Sequence, residues 1–150
     1  FNSPGQVVIA GHKAAVDRAC ENAKAMGAKR AVPLAVSVPS HSSLMKPAAE
    51  AFAATLSATE IKVPQIPVIH NADVIAHSSP DAIRDALIRQ IYNPVRWVET
   101  VQYLGTQGIT RIVEAGPGKV LIGLNKRIDK NIASVAAFDS ASLAEALAAQ

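Results

Sequence analysis

The sequence predicts an α/β fold layered around a mostly parallel sheet. Three observations lead there. Short β-rich runs alternate with patterns of helical periodicity, and the residues between them are helix starts and stops. Of the 150 residues, 49% are apolar and 18% charged, which suits a packed core rather than a disordered chain. No internal repeat, low-complexity tract or block of like charge interrupts the alternation.

Residues 6–10, Gln-Val-Val-Ile-Ala, form a β-rich run closed by Gly11. Val16, Ala19, Cys20, Ala23 and Met26 then fall on one helical face, and Gly27 stands where a helix favours a left-handed residue. Residues 30–38 read as a second extended run, with Pro33 marking an edge strand or a bulge. Together these predict a small β-α-β unit. The turn cluster Pro39-Ser40-His41-Ser42-Ser43 leads into a helical pattern on Leu44, Ala48, Phe52 and Leu56. Ser42 or Ser43 is its expected cap, and Pro47 is near enough to the start to be tolerated.

Residues 63–69 are extended, and their second half reads as a buried strand. Ser79-Pro80-Asp81 predicts a helix start: Ser as cap, Pro at the first helical position, Asp against the helix dipole. Ile83, Leu87 and Ile91 follow on one face. Asn93-Pro94 is expected to restart a helix carrying Trp97, Val98, Val101 and Leu104, ending near Gly108. Residues 111–115 are a strand running into Gly116-Pro117-Gly118-Lys119, followed by a helix on Val120, Leu121, Leu124 and Ile128. Residues 133–138 are the last strand, and Ser140 starts an Ala-rich helix.

Composition excludes several function classes. The 15 Lys and Arg against 12 Asp and Glu leave a formal charge of +3, and aromatics are only 4%. A nucleic-acid binder calls for a denser basic stripe with interleaved aromatics. The pairs Lys29-Arg30 and Lys126-Arg127 suit a local acidic partner, with solvated surface as the alternative. No apolar run approaches the ~18 residues of a membrane-spanning helix. Cys20, the single cysteine, cannot form an internal bridge, and the opening Phe1-Asn2-Ser3-Pro4-Gly5 lacks an initiator Met and the pattern of a signal peptide. The expectation is a cytoplasmic protein with neither membrane nor nucleic-acid partners. No grouping of His, Cys or carboxylates has metal-ligand spacing, so no metal site is expected.

The candidates for chemistry are few. His12 and His77 read as plain surface groups, and His70 as a satisfied structural residue. His41 lies at the end of an extended run, where α/β folds place reacting groups; it is either catalytic or a helix-capping or loop-packing residue. Gly116-Pro117-Gly118-Lys119 before a helix could cradle a phosphate, or could be a tight turn allowing strand and helix to approach closely. It lacks the spacing of a nucleotide-binding loop.

Four segments carry a resemblance. They are Phe1-Asn2-Ser3-Pro4-Gly5-Gln6-Val7-Val8-Ile9-Ala10-Gly11, Val36-Ser37-Val38-Pro39-Ser40-His41, Gln90-Ile91-Tyr92-Asn93-Pro94-Val95 and Glu114-Ala115-Gly116-Pro117-Gly118-Lys119-Val120-Leu121. In this order, and over nearly the whole chain, the sequence resembles the C-terminal half of the bacterial malonyl-CoA:acyl carrier protein transacylases of fatty acid synthesis.

The resemblance implies a two-step acyl transfer with no bound cofactor. A serine takes malonyl from malonyl-CoA and passes it to the phosphopantetheine thiol of acyl carrier protein. The role of general base carries over to His41, oriented by the backbone carbonyl of Gln90, and Asn2 matches a position lining the substrate cleft. Because acyl carrier protein is acidic, Lys29, Arg30, Lys126 and Arg127 become docking candidates. The family's Gly-His-Ser-x-Gly nucleophile elbow, its oxyanion-hole Gln and its malonyl-binding Arg are absent from this sequence. In the family all three precede the part matched here. The 150 residues alone are therefore expected to be inactive, and the N-terminal half of the same enzyme is an expected partner.

The resemblance also implies the domain organisation. Residues 1–36 correspond to the closing part of a ferredoxin-like small subdomain, and 37–150 to the C-terminal part of an α/β-hydrolase-like core. Neither is complete, so strands are expected to expose apolar faces and unpaired edges. A fragment is the simplest account, and one half of a nicked enzyme the next. The alternatives in function are a non-catalytic binding or assembly module using the same half-fold, and a nucleotide-binding protein built on Gly116-Pro117-Gly118-Lys119.

Overall fold

Strands β1 (Arg111–Ala115) and β2 (Ala133–Ala137) pair in parallel in the computed structural model, which describes residues 1–148. Arg111 stands opposite Ala133 and Ala115 opposite Ala137. Parallel strands need a crossover, and α5 (Val120–Ile128) supplies it. The pair belongs to one of two units, formed by Phe1–Val7 with the chain from Arg96 onward; the other is Val8–Val95. Mixed helix and strand around a small parallel sheet is the α/β class expected.

In the first unit, α5 and α6 (Ser140–Ala148) pack on β2, and α4 (Trp97–Thr106) packs on α5. Val101, Leu124, Ile132 and Ala146 are buried there. Each large aliphatic side chain so buried contributes about 1.5–3 kcal/mol. Asn125 is fully buried and hydrogen-bonded on both sides. Its Oδ1 accepts from Trp97 Nε1 at 3.0 Å and its Nδ2 donates to Ser134 Oγ at 3.3 Å, joining α4, α5 and β2. Helix α6 is capped reciprocally. The Asp139 carboxylate accepts from the Ser142 N–H at 2.7 Å, while Ser142 Oγ accepts from the Asp139 N–H at 3.0 Å.

The second unit contains α1 (Lys13–Ala25), a 3-10 turn (Ser43–Met45), α2 (Lys46–Ser57) and α3 (Pro80–Arg89). Helix α1 stops as the sequence predicts. Gly27 is left-handed (φ +93°), the Ala28 N–H reaches back to Ala23 O at 2.9 Å, and the Gly27 N–H reaches Lys24 O at 3.0 Å. Helices α2 and α3 pack through Ala49, Leu56, Ile83 and Ala86, all buried. Arg84 of α3 closes the end of α2 by donating to Leu56 O at 3.2 Å and Thr59 O at 2.7 Å. Ser79 Oγ accepts from the Ala82 N–H at 3.3 Å, capping α3 as expected.

Three expected strands do not form. Residues 6–10, 30–38 and 63–69 carry no ladder; among the described residues the only bridges outside β1 and β2 are Ser3 with Gln6 and Ile69 with Ala76. An extended segment becomes a strand only when a neighbour takes its N–H and C=O groups. Here no neighbour does, and Val7, Val8, Ile9, Leu34, Val36 and Val68 stay half or more exposed.

Two smaller expectations also change. Ser42 does not cap a helix with its side chain; its hydroxyl donates to Pro39 O at 2.7 Å. The helix after Asn93-Pro94 begins only at Trp97.

Candidate functional site

The local sequence at the end of α3 creates two carbonyls without helical partners. Gln90 keeps helical torsions (φ −61°, ψ −24°), so its carbonyl points to where the N–H of residue 94 would continue the helix. Residue 94 is proline, which has no N–H, and proline also turns Asn93 away from the helical region. His41 takes up both carbonyls. Its Nδ1 lies 2.9 Å from Gln90 O and 3.1 Å from Asn93 O, and its backbone N–H donates to Ile91 O at 3.1 Å.

The chemistry of the ring follows from these partners. A carbonyl oxygen can only accept, so Nδ1 carries the hydrogen and the neutral ring has its lone pair on Nε2. A histidine held this way can take a proton at one defined atom. The backbone of His41 is left-handed (φ +60°), a conformation that costs a non-glycine residue free energy and recurs at functional sites. The carbonyl contacts of His41 maintain it. Thus the structure brings His41 and Gln90 together within the second unit, and adds Asn93 to them.

The other candidates lie as follows. Asn2, in the first unit, is half-buried in a turn where its N–H donates to Gln6 O at 3.1 Å. Ser3 beside it is buried, and its hydroxyl has no partner among the described residues. Lys29 and Arg30 are exposed just beyond α1. Lys126 and Arg127 are exposed in the last turn of α5, where positive charge complements the helix dipole.

The glycine loop departs from both readings of it. A Cβ at Gly116 or Gly118 would meet nothing within 4 Å, so neither glycine serves a close approach of strand to helix in this chain. The Glu114 carboxylate accepts from the Ile122 N–H at 3.0 Å and so places a negative group at the start of α5, where a phosphate would bind. Among the described residues no group of His, Cys, Asp and Glu is arranged to hold a metal ion.

His12 is exposed, as expected. His77 is not the plain surface group expected. Its side chain is 15% exposed and Nε2 lies 2.9 Å from Asp73 Oδ2, because the turn through Asn71, Ala72 and Asp73 folds the carboxylate back onto it. His70 stacks edge-on against His77, with ring centroids 5.2 Å apart. Burial first, then the charge of His77, lowers the pKa of His70; Asp73 opposes this and Arg89 adds to it. Burial pushes the Asp73 carboxyl up, but hydrogen bonds from His77 and Arg89, with their charges, outweigh it and hold the group below its ordinary value.

Sequence reasoning passed over Asn93, whose carbonyl is a backbone atom; the Asn93-Pro94 pair was the signal that could have revealed it. Asp73, Arg89 and Glu114 had no local signal.

No protein-family model matches the sequence. The malonyl CoA-acyl carrier protein transacylase of Escherichia coli K12 is 54% identical over 147 residues, covering 98% of this chain and 48% of its own length. That of Bacillus subtilis is 45% identical over 139 residues, covering 93% and 44%. Among solved structures, a malonyl-transacylase in complex with a type II PKS acyl-carrier protein superposes with a TM-score of 0.98 at 57% identity, covering 100% of this chain and 48% of that one. An acyl carrier protein S-malonyltransferase from Vibrio cholerae gives a TM-score of 0.95 at 59% identity, covering 97% and 48%. The chain spans about half the length of the curated relatives it matches. With a near-identical backbone and more than half its residues shared, the chain is homologous over nearly its whole length to the C-terminal half of the malonyl CoA-acyl carrier protein transacylases.

Proposed function

We propose that this chain supplies the general base of a malonyl-CoA:acyl carrier protein transacylase whose nucleophile lies in an N-terminal half. The observation that supports this most is the His41 ring, with Nδ1 on the carbonyls of Gln90 and Asn93 and Nε2 left as the acceptor. In the first step Nε2 takes the proton of the serine hydroxyl as its oxygen attacks the thioester carbonyl. The coenzyme A sulfur leaves and receives that proton. In the second step Nε2 takes the proton of the phosphopantetheine thiol as its sulfur attacks the serine ester. The serine oxygen leaves and recovers the proton. Such a base is worth about 10²–10⁴-fold in rate.

On the same reading Asn2 lines the substrate cleft of the whole enzyme, and residues 1–36 and 37–150 are parts of its small subdomain and its acyltransferase core. The unladdered segments at 6–10, 30–38 and 63–69 then find their strand partners in the N-terminal half. Acyl carrier protein is the acidic partner of Lys29, Arg30, Lys126 and Arg127. A cytoplasmic setting fits these substrates and a chain with Cys20 as its one thiol. No described helix is long and apolar enough to cross a membrane. The test is transfer of radiolabelled malonyl to acyl carrier protein by the assembled enzyme. His41→Ala should cost at least 10²-fold, on the order of the general-base contribution, and full activity in that variant would reject the assignment.

A further inference from the structure

Both non-glycine residues with positive φ among the described residues, His41 and Val74, lie in the second unit. Val74 (φ +62°) is β-branched, so a left-handed backbone is strained there. It sits in a closed turn. Ile69 bridges Ala76, the His70 N–H donates to Ile75 O at 3.0 Å, and the Val74 N–H donates to His70 O at 3.0 Å. Strain of this kind persists only where surrounding contacts over-determine it. The residue this turn presents is Asp73.

The Asp73 Oδ2 accepts from His77 Nε2 at 2.9 Å and from Arg89 Nη2 at 2.8 Å. Arg89 is the last residue of α3, and its Nε also donates to Asp85 at 2.6 Å. The Asp85 contact is an ordinary pair within one helix, which leaves the end of that helix free to fray. Asp73 lies 16 residues away on a different segment, so it ties the helix end to the turn. The Arg89 carbonyl in turn accepts from the Asn93 N–H at 3.0 Å and from Asn93 Nδ2 at 2.9 Å. Asn93, together with Gln90 directly after Arg89, provides the carbonyls that hold His41. One continuous path therefore runs from Asp73 through Arg89 and Asn93 to the imidazole.

We propose that Asp73 is a positioning residue for His41: by clamping Arg89 it fixes the end of α3, and with it the two carbonyls that set the direction and tautomer of the ring. The proposal rests on the reading of His41 as the base. Asp73 touches no reacting atom, and its effect passes entirely through the geometry of the backbone at Gln90 and Asn93.

The experiment is ¹⁵N spectroscopy of the His41 ring, with steady-state kinetics, in the assembled transacylase carrying Asp73→Asn or Arg89→Lys. In the parent, Nδ1 should appear protonated and Nε2 unprotonated in the neutral ring. Either variant should move both signals toward a mixture of tautomers. It should also lower kcat about tenfold, within the range a small misplacement of a catalytic group can cost, while leaving the KM for malonyl-CoA within twofold. Asp73→Glu, which keeps the carboxylate, should recover part of the signal and the rate. Unchanged His41 ring signals in both Asp73→Asn and Arg89→Lys would overturn the proposal, whatever happened to thermal stability. Failure of the base reading would show separately, as full transfer by His41→Ala.

Discussion

The Nδ1 atom of His41 lies 2.9 Å from the carbonyl oxygen of Gln90, 49 residues further along the chain. The contact exists because Pro94 cannot donate to that carbonyl. Backbone, not side chain, does the orienting. Gln90→Ala should therefore leave kcat for malonyl transfer within about threefold, well below the 10²–10⁴-fold expected on removing a general base. Pro94→Ala restores a competing N–H at position 94 and should lower kcat more than Gln90→Ala does. Steady-state kinetics of the two variants in the assembled enzyme decide the matter; the reverse order would contradict it.

Stability of the first unit depends on a polar group at its centre. Asn125→Leu removes the partners of Trp97 Nε1 and Ser134 Oγ together. An orphaned buried donor costs about 1–3 kcal/mol, so urea unfolding should show a loss of that size. Trp97 fluorescence reports it directly. A neutral or stabilising Asn125→Leu would mean that the network adds nothing to packing.

Acid should weaken the second unit in two stages. The pKa of His70 is depressed from 6.5, so its contribution is complete above that value and is lost as the pH falls through the lower folded pKa. Asp73 is depressed from 3.8, so its contribution is present above that value and is lost at still lower pH. Thermal midpoints measured from pH 7.5 downward should begin to fall below about 6.5. His70→Asn should flatten that first limb and leave the second. Midpoints that rise on acidification would contradict the sign.

The elements read from periodicity and capping are those whose partners lie nearby. The stop of α1 at Gly27 and the start of α3 at Ser79 need only local bonds, and β1 finds its partner β2 within this chain, so the sequence locates each of them. Residues 30–38 read correctly as extended, but a ladder depends on a neighbouring strand, and this chain has none to offer. The site divides the same way. His41 stood out from its motif and its place after an extended run. Asn93 acts through a carbonyl that every residue possesses, and Asp73 meets Arg89 only because of the turn at Val74. His77 reads as a surface group in the sequence because its partner four residues away, Asp73, is reached by a turn and not along a helix face.

Charge at two exposed pairs gives a test of partner docking. Reversing Lys29, Arg30, Lys126 and Arg127 to Glu should raise the KM for acyl carrier protein and steepen no other step. Acylation by malonyl-CoA should stay nearly unchanged, and the difference between variants should shrink with added salt. Equal losses in both half-reactions would remove these residues from docking.

On the proposed reading this chain supplies the base of the transfer, and an N-terminal half supplies the nucleophile. The most direct measurement compares malonyl transfer to acyl carrier protein by the 150 residues alone, by the chain combined with an N-terminal half, and by that combination carrying His41→Ala. On that reading no transfer is expected from the chain alone, transfer is expected from the combination, and the variant should lose it. Turnover by the 150 residues on their own would contradict it.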